Sequence, residues 1–228
     1  MSRAVRLCIC IGLTSSWVGA ASAAPTQTTQ RLVTVLTTQT ARVAPNAAAR
    51  AVGTVSARTP ITGVHSVLPL LGKTSSGWVH VALPGRPNGH SGWIHASSTK
   101  PAQTVWRLSV DLSLRRLTVF ELGRPVRTFR VVVGKPSTPT PTGSFFVEEA
   151  VRLGPTGVGG PYALALSARS NVLQEFDGGP GQIAIHGRDN IGGTPGTAAS
   201  HGCVRLVDAA IEWLVGRVGA GTPVAITP

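Results

Sequence analysis

Glycine and proline cut this chain into short apolar runs, and that punctuation constrains the fold more than any other feature. Between residues 32 and 100 the breaks fall at Pro45-Asn46, Gly53, Pro60, Gly63, Gly72, Gly77, Pro84-Gly85 and Asn88-Gly89. The runs between them include Leu32-Val33-Thr34-Val35-Leu36, Trp78-Val79-His80-Val81 and Gly92-Trp93-Ile94. Short strands at this spacing predict a small all-β barrel. Trp78 and Trp93 are expected in its core rather than as ligand platforms, because aromatics dominate small cores. His65, His80, His90 and His95 show no metal-ligand spacing and read as surface or structural residues.

Residues 101–104 read as a short linker, and from Val105 the pattern changes. Runs 105–110, 117–122 and 126–133 are strand-like, with Glu121-Leu122-Gly123-Arg124 as the turn between the last two. Phe129, Val131 and Val133 alternate with Thr128, Arg130 and Val132, which predicts one better-buried face. A Pro/Thr-rich loop runs from Gly134 to Gly143, and Ser144-Phe145-Phe146-Val147 is a further strand. The Gly-rich stretch 154–161 is a candidate lid. Strands are expected over 162–166 and 182–185, the second delivering His186 at its end. One helix is predicted over 207–218, where Ile211, Leu214, Val215 and Val218 make a single apolar stripe. Asp208 is its expected N-cap and Gly219 its left-handed C-terminal residue. Residues 223–226 can add a last strand. The expected fold is mainly β: a small barrel, then a β-rich domain with one clear helix.

The first 24 residues read as a secretory leader. Arg3 and Arg6 precede an apolar run from Leu7 to Val18, and Ala21-Ser22-Ala23 is a small-residue cleavage signal. That run is short of the roughly 20 residues needed to span a membrane, and no later segment is long and apolar enough to do so. Residues 25–31 are a Thr/Gln-rich flexible lead-in. Cys8 and Cys10 fall inside the leader, so Cys203 is the one cysteine left in the mature chain. A lone exported thiol has no internal disulfide partner and is flagged as reactive. Net charge is +12, and +10 without Arg3 and Arg6. Such a chain is drawn to anionic surfaces. The export signal and few aromatics argue against nucleic acid, whereas an anionic cell envelope fits. The chain is expected to be exported, to the periplasm or to the cell wall and extracellular space.

Cys203 lies in the run Ser200-His201-Gly202-Cys203-Val204-Arg205-Leu206. A free thiol titrates near 8.5 and needs a basic neighbour to react at neutrality. His186 and His201 are the histidines in this half of the chain. His201 is near in sequence, but His186 comes from a separate segment and is the better candidate for a base held at hydrogen-bond range. Gly202 can take a positive φ, and the N–H groups of Gly202 and Cys203 could form an oxyanion hole. A metal site of His186, His201 and Cys203, with Asp189 as a further ligand, is the competing chemistry. It lacks an obvious fourth ligand and the paired-cysteine spacing of structural zinc. A buried inert cysteine is disfavoured by the polar, Gly-rich neighbours.

The run from Ser200 to Arg205, with His186-Gly187 upstream, is similar to the signature of the L,D-transpeptidase (YkuD-like) catalytic domain. Gly134-Lys135 followed by Thr140-Pro141-Thr142-Gly143 adds a third element in the same order, and the resemblance extends from Val105 to Ile226. It implies acyl transfer on peptidoglycan stem peptides, with Cys203 as nucleophile and His186 as its proton acceptor. By the same resemblance the Gly187 carbonyl orients the imidazole, and Ser200, His201 and Gly202 shape the loop. Arg205 holds either that loop or a substrate carboxylate. Acylation of Cys203 by carbapenems is implied, and neither a metal nor an organic cofactor is. One departure is the short Gly-rich segment between Glu148 and Tyr162, where a long aromatic lid would be expected. The run from Trp78 to Pro87 with Gly92-Trp93-Ile94 resembles bacterial SH3-like domains found beside cell-wall enzymes, which implies wall or peptide binding, or a spacer. The domain expectation is therefore an SH3-like unit over 32–100 and a catalytic domain over 105–228. Water in place of an amine would make the same nucleophile an L,D-carboxypeptidase or peptidase. A non-catalytic wall-binding protein is the third reading, disfavoured because the motif is complete.

Overall fold

The computed structural model describes residues 29–72, 74–154, 156–176 and 178–228. The expected leader, with Cys8 and Cys10, lies outside the described residues, as do residues 25–28 of the lead-in. The first seven strands are β1 (Gln30–Val35), β2 (Gln39–Arg42), β3 (Ala51–Val55), β4 (Val67–Pro69), β5 (Trp78–Ala82), β6 (Ser91–His95) and β7 (Thr99–Thr104). They form two small sheets, ordered β4-β1-β7 and β3-β2-β6-β5. The sheets close on Val33, Val35, Leu68, Val79, Val81 and Ile94, because alternate residues of each strand share a face. The two tryptophans lie on the opposite face. Trp78 is buried against the His95 ring, and half-buried Trp93 stacks on His80 with ring centroids 4.8 Å apart.

Residues 101–104 are not a linker. They are the second half of β7, paired antiparallel with β1 in the register Leu32↔Ala102 and Val33↔Pro101. Pro101 reads as a break in the sequence, but β7 is an edge strand, where a missing N–H is tolerated. Gln30 and Arg31, placed in the lead-in by composition, open β1 for the same reason: β7 is there to pair with them.

The remaining elements are β8 (Trp106–Asp111), β9 (Arg116–Glu121), β10 (Arg124–Arg130), β11 (Val133–Gly134), β12 (Gly143–Arg152), β13 (Tyr162–Arg169), β14 (Gln182–Gly187), β15 (Ala198–Ser200), β16 (Val204–Leu206), α1 (Asp208–Val215) and β17 (Pro223–Thr227). Eight of these strands make one sheet, ordered β10-β9-β8-β17-β12-β13-β14-β16, and β11 pairs with β15 beside it. Mainly β architecture with a single α-helix among the described residues is the outcome. The turn between β9 and β10 has positive φ at both Leu122 and Gly123, the twist that tight hairpins favour. The alternation expected up to Val133 breaks at Val132. Val131, Val132 and Val133 are all buried, because the chain leaves β10 at Arg130 and Val132 then exchanges backbone hydrogen bonds with Arg205.

The helix is shorter than its apolar stripe. Val207 occupies the N-cap in extended conformation, and Asp208 is the first helical residue. The Asp208 carboxylate is drawn away from capping because it accepts the N–H groups of Arg188 and Asp189, each at 3.1 Å. The C-cap is Gly216 at φ −71°, so the helix ends without the left-handed residue expected at Gly219. Ile211, Leu214 and Val218 still reach the core.

Two residues of β12 help to lock the two parts together. Phe146 of β12 is buried in the core of the first seven strands, not that of its own sheet. Fully buried Glu149, also on β12, accepts from the Thr62 N–H at 2.8 Å, the Thr62 hydroxyl at 2.7 Å and the Ile61 N–H at 3.3 Å. Those donors offset the cost of removing its charge from water. Among the described residues, no helix is long and apolar enough to cross a membrane.

Candidate active site

Parallel pairing of β14 with β16 puts the two chemical groups on one surface. The register is Ile185↔Val204 and His186↔Arg205. One step back, Ala184 stands abreast of Cys203, and its N–H points to the Cys203 Sγ at 3.4 Å. Ile183, Ile185, Val204 and Leu206 face the core, so Ala184, His186, Cys203 and Arg205 share the other, half-buried face. Apolar residues on alternate positions thus hold the reactive side chains outward. Among the described residues, the Cys203 Sγ has this one hydrogen bond and none to the His186 ring.

The imidazole is fixed from its far side. Nδ1 of His186 lies 2.7 Å from the Gly187 carbonyl oxygen. A carbonyl only accepts, so Nδ1 carries the proton and Nε2 keeps its lone pair. Gly187 is glycine for lack of room: a Cβ there would fall 2.6 Å from Asp208 Oδ1 and run into the Gly160 carbonyl. Burial pushes the imidazole below its ordinary pKa. The Gly187 carbonyl and Asp208 oppose that shift, and the Arg205 cation adds to it. Burial also raises the Cys203 thiol, against smaller opposing effects of the Ala184 N–H and Arg205. The resting pair is a neutral base and a neutral thiol.

The nucleophile loop is held by hydroxyls. Ser200 Oγ donates to the Cys203 carbonyl at 2.6 Å and accepts the Gly202 N–H at 3.0 Å. Gly202 has φ +122°, in a region that disfavours side chains. Its N–H is already engaged, so the oxyanion pair expected from Gly202 and Cys203 is not available. Among the described residues the Cys203 N–H donates to no group, and it is the donor left for an oxyanion. Thr140 Oγ1 accepts the Gly134 N–H at 2.9 Å and donates to the Gly202 carbonyl at 2.8 Å. The Thr138 hydroxyl and the Lys135 N–H both donate to the Ser200 carbonyl. The Pro/Thr-rich loop therefore braces the loop that carries the sulfur.

His201 is exposed and stacks on Phe176, with ring centroids 5.6 Å apart. Arg205 has a weak bond from Nη1 to the Gly192 carbonyl at 3.4 Å, and among the described residues its buried Nε has no partner. The Gly-rich stretch lies against His186, pinned by Asn190, which accepts the Gly159 N–H and donates to the Gly157 carbonyl. Asp189 accepts the Asp208 N–H at 3.3 Å rather than joining the two histidines and Cys203. Among the described residues, no three of His, Cys, Asp and Glu converge as metal ligands. Phe176, Asn190 and the bracing role of Thr138 and Thr140 escaped the sequence reading. Of these, only Thr140 lay in a motif that stood out.

Residues 105–226 match the family model of the YkuD L,D-transpeptidase catalytic domain. The chain is 34% identical over 128 residues to the Bacillus licheniformis protein named L,D-transpeptidase YkuD, covering 56% of this chain and 69% of that one. A crystal structure of an Enterococcus faecium L,D-transpeptidase with a cysteine-to-serine substitution gives a TM-score of 0.40 at 27% identity. That match covers 54% of this chain and 49% of the other, so the chain spans about half the length of that protein. The catalytic domain of the E. faecium L,D-transpeptidase acylated by ertapenem gives 0.41 at 25% identity, over 54% of this chain and 96% of that one.

Proposed function

The chain belongs to the YkuD family of L,D-transpeptidase catalytic domains, and from that premise we propose that it is an exported cysteine acyltransferase that cross-links or remodels peptidoglycan. Nε2 of His186 takes the proton of the Cys203 thiol as Sγ attacks the carbonyl between an L-centre and the terminal D-residue of a stem peptide. The Cys203 N–H stabilises the oxyanion. The C–N bond then breaks, the imidazolium returns its proton to the departing amine of the D-residue, and a thioester on Cys203 remains. An acceptor amine attacks the thioester, gives a proton to Nε2, and restores the thiol. Arg205 attracts the carboxylate of the donor. Under the same reading, β1 to β7 form an SH3-like unit that binds or spaces the wall.

The observation that carries this reading is the shared face of β14 and β16. It holds a thiol and an imidazole whose free Nε2 is set by the bond from Nδ1 to Gly187. The test is intact-mass analysis of the protein after incubation with ertapenem, and separately with a tetrapeptide stem donor. Each should leave a covalent adduct that Cys203→Ala abolishes. Absence of both adducts from folded protein sinks the reading.

A further inference from the structure

A loop of the first seven strands grips the segment that borders the nucleophile. Arg86 donates from Nη2 to the Ser170 carbonyl at 2.8 Å and the Leu173 carbonyl at 3.2 Å, and from Nη1 to the Pro180 carbonyl at 2.9 Å. Asn88 extends the grip: its Nδ2 donates to the Arg169 carbonyl at 2.7 Å and its Oδ1 accepts the Arg169 N–H at 2.8 Å. The Gly85 N–H donates to the Ser167 carbonyl at 3.0 Å. One planar guanidinium thus ties the two ends of the connection between β13 and β14 across its neck, a geometry suited to arginine's fixed fork of donors.

That connection has little apolar anchorage of its own. Val172 and Phe176 are each 51% exposed, so its position is set by backbone bonds. The exposed face of Phe176 is not idle: its ring stacks on His201, two residues before Cys203. The far end of the same connection leads directly into β14 and His186. A single clamp therefore stands behind both sides of the site.

We propose that Arg86 is a positioning residue for acyl transfer, acting by holding residues 170–176 and 178–181 so that Phe176 stays against His201 at the mouth of the Cys203 loop. The proposal rests on the acyl-transfer reading above. Its physical content is that the first seven strands complete the site rather than merely adjoin it. Displacing a site wall by about 1 Å can cost two orders of magnitude in rate, and Arg86 is the group whose loss would free this wall.

The test uses the full chain, with ertapenem as probe and two readouts. Arg86→Ala should slow acylation of Cys203 by roughly tenfold or more and speed hydrogen exchange over residues 170–181, leaving β13 and β14 unchanged. Arg86→Lys, which brings one ammonium to three carbonyls, should fall between. Phe176→Ala should slow acylation as well, and the double variant should be no slower than the slower single one, because Arg86 acts through Phe176. Wild-type rates in Arg86→Ala, or losses that multiply in the double variant, overturn the proposal. If neither ertapenem nor the tetrapeptide stem donor acylates the wild-type chain, the acyl-transfer reading fails and exchange decides the clamp. Faster exchange confined to 170–181 upholds it, and unchanged exchange overturns it.

Discussion

Gly159 packs against the imidazole of His186: a Cβ built on it would fall 2.6 Å from Nδ1 and 3.1 Å from Cε1. Its φ is +76°, and Asn190 fixes its N–H. The ring is thus confined between the Gly-rich stretch and the Gly187 carbonyl. Gly159→Ala should displace the ring and slow acylation by ertapenem by about 10- to 100-fold. Gly63→Ala is the control, because Gly63 has φ +67° with nothing near its would-be Cβ. Both variants carry backbone strain of roughly 1–2 kcal/mol, but only the first should lose rate. Equal rates in the two would show that Gly159 does not position the base.

Burial sets the pH behaviour of the pair. The His186 imidazole is held below its ordinary value of about 6.5 and the thiol above its own. Acylation should therefore persist somewhat below pH 6.5 and stay level through pH 8, without the rise that a free thiol shows near 8.5. Stability has a definite sign as well. Between the folded and unfolded imidazole values the unfolded chain binds more protons, so stability falls as pH drops below about 6.5. His80, also lowered by burial, shares that trend, so His186→Gln should remove only part of the slope of Tm between pH 5 and 8. An acylation rate that climbs steadily from pH 6 to 9 would mean that free thiolate, not base-assisted thiol, is the reacting species.

How far the sequence anticipates this arrangement depends on the range over which each feature is determined. The strand that delivers His186, the single helix and the Ser200–Arg205 run are set by local pattern and were legible. The role of Pro101 was not, because an edge strand and a linker differ only by the partner across from them, here β1. Asp208 shows the same limit. Its sequence position suits an N-cap, yet two N–H groups of the β14 exit compete for its carboxylate and win. Gly202 reads as a turn from its residue type alone, but nothing in the sequence reports that the Ser200 hydroxyl accepts its N–H and so takes it from an oxyanion. The clamp from Arg86 joins residues 84 to 94 positions apart, a range over which no periodicity reports.

Ser200 is fully buried, and its hydroxyl serves both the Cys203 carbonyl and the Gly202 N–H. Ser200→Ala strands both backbone groups, at a cost of about 1–3 kcal/mol for each that stays dry. It also releases the Gly202 N–H toward solvent or substrate. The expected result is a lower Tm and slower acylation together, with Ser200→Thr restoring part of each. A normal rate in a destabilised Ser200→Ala would confine the hydroxyl to a folding role.

Thr140 gives the complementary test, because it holds the same loop from the other side. It is 3% exposed, and its hydroxyl joins the Gly134 N–H to the Gly202 carbonyl. Thr140→Val keeps the shape and removes both bonds, so its cost is that of two unsatisfied backbone groups, about 1–3 kcal/mol each at most. Ser200 and Thr140 meet at Gly202 through the two peptide units that share its Cα, one at its N–H and the other at its carbonyl. Their effects on acylation should therefore not multiply: once either variant frees the backbone dihedrals of Gly202, the second has less left to release. Acylation rates of the two single variants and the double, measured with ertapenem, give the coupling directly. Losses that multiply in full would mean that the two hydroxyls support Cys203 by separate routes.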